Sequence, residues 1–201
     1  MIVLIMGPSG SGKTTICREL DKKGCNIIPT YTTREPRPHD DYTVCISKEE
    51  FDRKIKDGEF ISYSSFNAPR IGGTLYYGIP TIKDDRDSLN IVICAYEYYE
   101  DIVKFAGEDV ISIYIDVDDE TIIEKSSMDT NRGKSINDLM DRLERDREKN
   151  EKLKKVSDYV LCNEGMSLDG YTLSIIVIYH CISSILREAV STETCTKKEN
   201  W

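Results

Sequence analysis

The stretch best suited to chemistry is Gly7-Pro8-Ser9-Gly10-Ser11-Gly12-Lys13-Thr14, followed by Thr15. It fits the pattern G-x-x-x-x-G-K-S/T. In that pattern the glycines let backbone N–H groups turn inward around phosphates. The lysine reaches the terminal phosphates of a nucleoside triphosphate, and the Thr14 hydroxyl suits a Mg²⁺ ion. Binding of ATP with Mg²⁺ is the expectation. A chance glycine-rich turn is the alternative, and the flanking segments weigh against it. Ile2–Met6 is a continuous apolar run that reads as a buried strand, and Lys13 to about Lys23 reads as a helix ended by Gly24. A helix opening at Lys13 turns the positive end of its dipole toward the same anion.

The rest of the chain alternates in the same way. Asn26–Thr30 is a second short apolar segment, and Thr32–Pro38, punctuated by Pro36 and Pro38, reads as a loop. Short strands near Tyr42–Ile46, Phe60–Phe66 and Leu75–Ile79 flank a helix at Lys48–Lys56, a β-rich insertion. Asn90–Ala95 and Val110–Asp116 are strands of the buried type. Ser135 to about Leu153 is a highly charged helix, Tyr159–Cys162 a last strand, and Leu168–Val190 a closing helix. This pattern predicts an α/β fold, a P-loop NTPase-type parallel sheet with helices on both faces.

Thr32-Thr33-Arg34-Glu35-Pro36-Arg37-Pro38 resembles the acceptor-phosphate loop of the guanylate kinase family. The resemblance runs from Met1 to about Glu164. It is carried also by the glycine loop, by Glu50-Phe51 with Gly58-Glu-Phe-Ile61, and by Tyr76-Tyr77-Gly78. It implies transfer of the ATP γ-phosphate to a nucleoside monophosphate, by family GMP or dGMP. Arg34 and Arg37 would clamp the acceptor phosphate, with Tyr42 and Tyr77 helping and Thr30 and Asp40 lining the site. The attacking oxygen is already anionic, so no general base is required. The barrier is repulsion between two polyanions, which guanidinium groups and Mg²⁺ relieve. An arginine-bearing lid is implied at Asp118–Lys134 with Arg132, joined by Arg142 and Arg145 on the charged helix. The alternative for these arginines is a solvated helix face. Asn163 resembles the adenine-contacting position.

The departures from the family fall on base recognition. The family reads guanine with a glutamate where this chain has Ser62, and with a serine or threonine where it has Ile79. Its middle strand ends in Asp-x-Asp where this chain has Cys94 and Tyr96, with Glu97 adjacent. Guanine presents N–H donors, so a pocket losing acceptors is expected to lose preference for it, and GMP is not expected to be the best substrate. Glu97 is a candidate substitute at Mg²⁺. The segment Asn67–Thr74 reads as an insertion enlarging a loop, in which Arg70 reads first as a surface arginine, with a substrate contact as the alternative. Alternatives are another nucleoside monophosphate, a ribose bisphosphate, or a non-catalytic binding module. The last usually has a damaged glycine loop, and this one is complete.

A net charge of −9 argues against nucleic acid as partner. Seven scattered cysteines, without a C-x-x-C pair, suggest reduced thiols and a cytoplasmic location. Met1–Met6 has no basic region before it, and Thr172–Leu186 is too short to span a bilayer, so no membrane partner is expected. The chain is expected to be one domain over 1–190, as a monomer or homodimer. Its core would be 1–31 and 81–190, its acceptor-binding insertion 32–80, its lid about 118–134, and 191–201 a polar tail.

Overall fold

The computed structural model describes residues 1–36, 41–68, 73–82, 89–128, 136–162, 167–170, 172–178 and 180. Its strands are β1 (Ile2–Met6), β2 (Asn26–Ile28), β3 (Thr30–Thr32), β4 (Thr43–Cys45), β5 (Phe60–Ala68), β6 (Gly73–Pro80), β7 (Asn90–Ile93), β8 (Val110–Asp116) and β9 (Tyr159–Cys162). Its helices are α1 (Lys13–Lys22), α2 (Lys48–Lys56), α3 (Tyr96–Ala106), α4 (Asp119–Met128) and α5 (Ile136–Val156).

Five strands form a parallel sheet in the order β2-β7-β1-β8-β9. β1 lies at its centre and is buried at every position. Such a strand needs a covering layer on each face, which is why it reads as an unbroken apolar run. On one face Ile2, Leu4 and Met6 join Val92 and Tyr114 against Tyr98 and Ile102 of α3 and Leu153 of α5. Val3, Ile5, Ile113 and Ile115 alternate to the other face and are fully buried too. Ile16, Cys17 and Leu20 are the buried stripe of α1, which packs against β2 and β7. The α/β class expected from the alternation is the one found.

The second sheet has the order β4-β3-β6-β5. β3 and β4 are parallel, and β6 runs antiparallel to both β3 and β5. The apolar segment Asn26–Thr30 thus divides between two sheets. β2 ends at Ile28, β3 begins at Thr30, and Pro29, which has no N–H to give a ladder, stands between them. Phe51 fastens α2 to this sheet. It is fully buried, with ring centroids 4.8 Å from Phe60 and 5.7 Å from Tyr76. The glycine of Tyr76-Tyr77-Gly78 is needed for space, since a Cβ there would lie 2.9 Å from the Phe60 ring.

Three details differ from the sequence expectation. Asn67–Thr74 is not simply an enlarged loop. Asn67 pairs with Thr74 and Ala68 with Gly73, so the extra residues lengthen the β5–β6 hairpin. Within the polar stretch Asp118–Lys134, α4 forms because Asp118 caps it. The Thr121 amide donates to Asp118 Oδ1 at 2.7 Å, and these bonds hold the Asp118 carboxyl below its usual range. α5 begins at Ile136 and continues to Val156, beyond Leu153.

The chain divides into two units, 1–164 and 165–201. In the second, residues 168–170 and 172–178 are helical. The Ser167 hydroxyl accepts from the Gly170 amide, and the Thr172 hydroxyl donates to the Leu168 carbonyl. Among the described residues no helix is long and apolar enough to cross a membrane.

Candidate phosphoryl-transfer site

The glycine loop follows β1 and opens α1. Gly7, Gly10 and Gly12 have φ of 142°, 92° and 92°, values that residues with a Cβ rarely adopt. Gly7 is also pressed against β8, where an added Cβ would lie 2.6 Å from the Ile115 carbonyl oxygen. Pro8 accepts from the Ser11 amide at 3.2 Å, which closes the turn through Ser9 and Gly10. The Lys13 ammonium lies over this turn, donating to the Gly7 and Pro8 carbonyls at 2.9 and 2.7 Å. Gly12 starts α1 without a side-chain cap, and the first turn, which holds Thr14 and Thr15, has no acidic residue. The helix end is therefore left electropositive beside the loop, as an anion requires. A Gly7→Ala variant is expected to weaken ATP binding by about 10-fold or more, from strain of about 1–3 kcal/mol. Titration calorimetry with ATP measures this. Unchanged affinity would mean that ATP does not use the loop.

The metal-side candidates are placed unequally. Thr14 sits in the first turn of α1. Cys94 is buried, its thiol donates to the Ala95 carbonyl at 3.3 Å, and burial pushes its pKa upward. Glu97 is engaged by Lys149 of α5. Tyr96 also turns toward α5, with Lys152 at 5.9 Å from its ring centroid.

Arg34 follows β3 and is buried, 8% exposed, unlike a solvated loop cation. Its amide donates to Thr32 Oγ1 at 3.1 Å and its Nη1 to the Glu35 carbonyl at 2.8 Å. It lines a cleft of about 590 Å³ with Thr33, Cys45 and Lys48 among its walls. Tyr76 is a further wall of this cleft. Successive strand residues face opposite ways, and Tyr76 contacts Phe51 of α2. Tyr77 faces the other side, stacked on Phe66 with centroids 5.4 Å apart.

That other side gathers four of the candidates. Register pairs Ser62 with Ile79, Ser64 with Tyr77, and Thr32 with Tyr77, so Thr30, Ser62, Tyr77 and Ile79 share one face. Ile79 is fully buried in the core with Tyr98 and Ile102. Ser62 is 4% exposed and donates to Asp101 Oδ2 of α3 at 2.6 Å. Ser64 and the Tyr98 hydroxyl are 2.7 Å apart. Asp101 and Tyr98 were not among the sequence candidates. Their link to the hairpin spans more than thirty residues and has no local signature.

Tyr42, expected at the acceptor phosphate, donates instead to Asp21 of α1 at 3.0 Å. Burial and this bond push its phenol up to about 12. The adjacent Asp41 pairs with Arg18, so α1 and the lead into β4 are clasped twice. On α5, Arg145 is exposed and chelates its neighbour Asp146 at 3.0 and 3.1 Å. Arg142 is half-buried and has no ion-pair partner among the described residues. Arg147 joins α5 to α4 through Asp119 at 3.2 Å. Arg37, Asp40, Arg70, Arg132 and Asn163 lie outside the described residues.

Comparison with known proteins bears on this arrangement. A sequence model of the guanylate kinase family matches residues 1–169. The chain is similar to the guanylate kinase of Fusobacterium nucleatum, 34% identical over 88 residues, or 42% of this chain and 43% of that protein. It is similar to that of Clostridioides difficile, 42% identical over 69 residues, or 32% and 34% of the two chains. These matches span less than half the length of the curated relatives. The crystal structure of guanylate kinase from Anaplasma phagocytophilum is similar in fold. Its TM-score is 0.64 at 19% identity, covering 90% of this chain and 85% of that one. A gluconokinase structure from Sinorhizobium meliloti has a TM-score of 0.52 at 16% identity, covering 93% and 95%. Because the family match takes in both sheets and the glycine loop between β1 and α1, this chain belongs to the guanylate kinase family.

Proposed function

We propose that the protein transfers the γ-phosphoryl group of ATP, bound as its Mg²⁺ complex, to the phosphate of a nucleoside monophosphate. The observation that carries this reading is the complete glycine loop, with Lys13 over it and an uncapped, acid-free helix end beside it. Arg34, buried beside a separate sheet, adds a cation for a second phosphate. In this reading the insertion 32–80 holds the acceptor through Arg34, Arg37, Tyr42 and Tyr77, on the sheet face of Tyr77; Arg34 follows β3 and is not held by its register, so its guanidinium would turn to that face and away from the Tyr76 cleft. Residues 118–134 form the lid, with Arg132, Arg142 and Arg145 meeting the transferred group and Asn163 meeting the adenine.

The chemistry asks little beyond position and charge. The acceptor oxygen attacks phosphorus in line, and the ADP oxygen leaves. Lys13 and the arginines hold the two polyanions together, and lid closure excludes water that would otherwise hydrolyse ATP. Mg²⁺, which takes oxygen ligands, would be held by the ATP phosphates, waters and Thr14, since Glu97 is paired with Lys149 and Cys94 offers only sulfur. Tyr42 would have to leave Asp21 to reach the acceptor.

Ser62, where the family carries its guanine-reading acid, favours one second reading, a ribose bisphosphate as acceptor. An ATP-consumption assay with GMP, dGMP, AMP, dTMP, CMP and a ribose bisphosphate tests both. Turnover with a nucleoside monophosphate is expected. Tight ATP binding without turnover of any acceptor would instead indicate a binding module.

A further inference from the structure

Ser62 stands where the family has its guanine-reading acid, and the fold brings a different acid to that position. We propose that Asp101 of α3, presented by Ser62, is the residue that selects the acceptor base, by accepting hydrogen bonds from its N–H edge. This assignment rests on the nucleoside monophosphate kinase reading.

Four observations support it. Ser62 is nearly buried, and its single hydroxyl proton is committed to Asp101 Oδ2 at 2.6 Å. A serine so engaged, and an ionised carboxylate, can only accept hydrogen bonds from a ligand. Asp101 itself is exposed, so its other oxygen remains open to an incoming group. The pair lies on the sheet face that also carries Thr30 and the half-buried Tyr77, whose ring suits the side of a planar base. Tyr98, three residues before Asp101 on the same helix face, bonds Ser64 and fixes where α3 meets β5.

Charge then assigns the pair its role. A carboxylate repels phosphate, so beside two polyanionic substrates it must meet the neutral, donor-bearing end of the acceptor. Guanine offers N1–H and an amino group on one edge, hypoxanthine offers N1–H alone, and adenine presents an acceptor at N1. Ribose hydroxyls are also donors, and the test separates them from the base.

Steady-state kcat/KM with GMP, IMP and AMP would be compared for the native protein, Asp101→Asn and Ser62→Ala. A carboxylate supplied by α3 reverses the loss of guanine preference expected from Ser62 alone, so the native order among these purines is expected to be GMP, then IMP, then AMP. Asp101→Asn, isosteric and still able to accept from Ser62, is expected to lower the GMP value by about 10- to 100-fold, chiefly through KM. The loss with IMP should be smaller and that with AMP least. Ser62→Ala should shift the GMP-to-AMP ratio in the same direction by less. These ratios are taken within one preparation, so a loss of folded protein cancels. An unchanged ratio in Asp101→Asn would overturn the proposal. So would an equal loss with all three nucleotides, which would place Asp101 on the ribose or in the fold alone, or a native preference for AMP. Absence of turnover with every acceptor would instead overturn the kinase reading on which it rests.

Discussion

Replacing Lys13 with alanine is expected to lower kcat by about 10²–10³-fold, the loss seen when one preorganised charge is removed from a transferring group. Its ammonium lies 2.9 and 2.7 Å from the Gly7 and Pro8 carbonyls, already at the mouth of the loop. Carbonyl contacts compensate a cation only in part. Phosphate oxygens would draw the ammonium more strongly, and most strongly as charge redistributes in the transition state. Lys13→Arg keeps the charge but is too broad for the same place, so it should restore little activity. Measuring kcat at saturating acceptor while varying ATP separates this effect from simple weakening of ATP binding. An unchanged kcat in Lys13→Ala would remove the glycine loop from the chemistry.

Arg34→Ala is expected to lower kcat/KM for the acceptor by about 10²-fold and to leave the KM for ATP within about 2-fold. A charged hydrogen bond contributes about 1.5–3 kcal/mol, and a guanidinium clamping phosphate makes more than one. Arg34 is buried and donates to the Glu35 carbonyl, so part of any loss could be structural. Arg34→Lys addresses that. It keeps a cation at this position but loses the planar fork, and its activity should fall between the native protein and Arg34→Ala. Equal losses in the two variants would point to bidentate geometry, and a matching fall in ATP affinity would mean that Arg34 does not serve the acceptor alone.

The donor half of the site was legible because it is local. Gly7 to Thr14 is one unbroken segment between a strand and a helix, and its three positive φ angles are a property of glycine itself. The parallel sheet was legible for a similar reason, since strands buried on both faces must be apolar throughout. Helices α3 and α4 were not identified from sequence, although each starts at a definable point. The break between β2 and β3 is likewise local, set by Pro29, which has no N–H for a ladder.

Which side chains meet across the acceptor region was decided by tertiary structure alone. Strand register sets Thr30, Ser62, Tyr77 and Ile79 on one face and turns Tyr76 toward the cleft with Arg34. The packing of α3 on β5 brings Asp101 to Ser62 from 39 residues away, and Tyr42 reaches Asp21 across 21. By itself the sequence determined that a triphosphate loop exists, and it marked an acid missing at position 62. It could not show a carboxylate returning there, because a hydrogen bond between distant segments depends on helix docking and strand register. Neither is encoded in the spacing of any local motif.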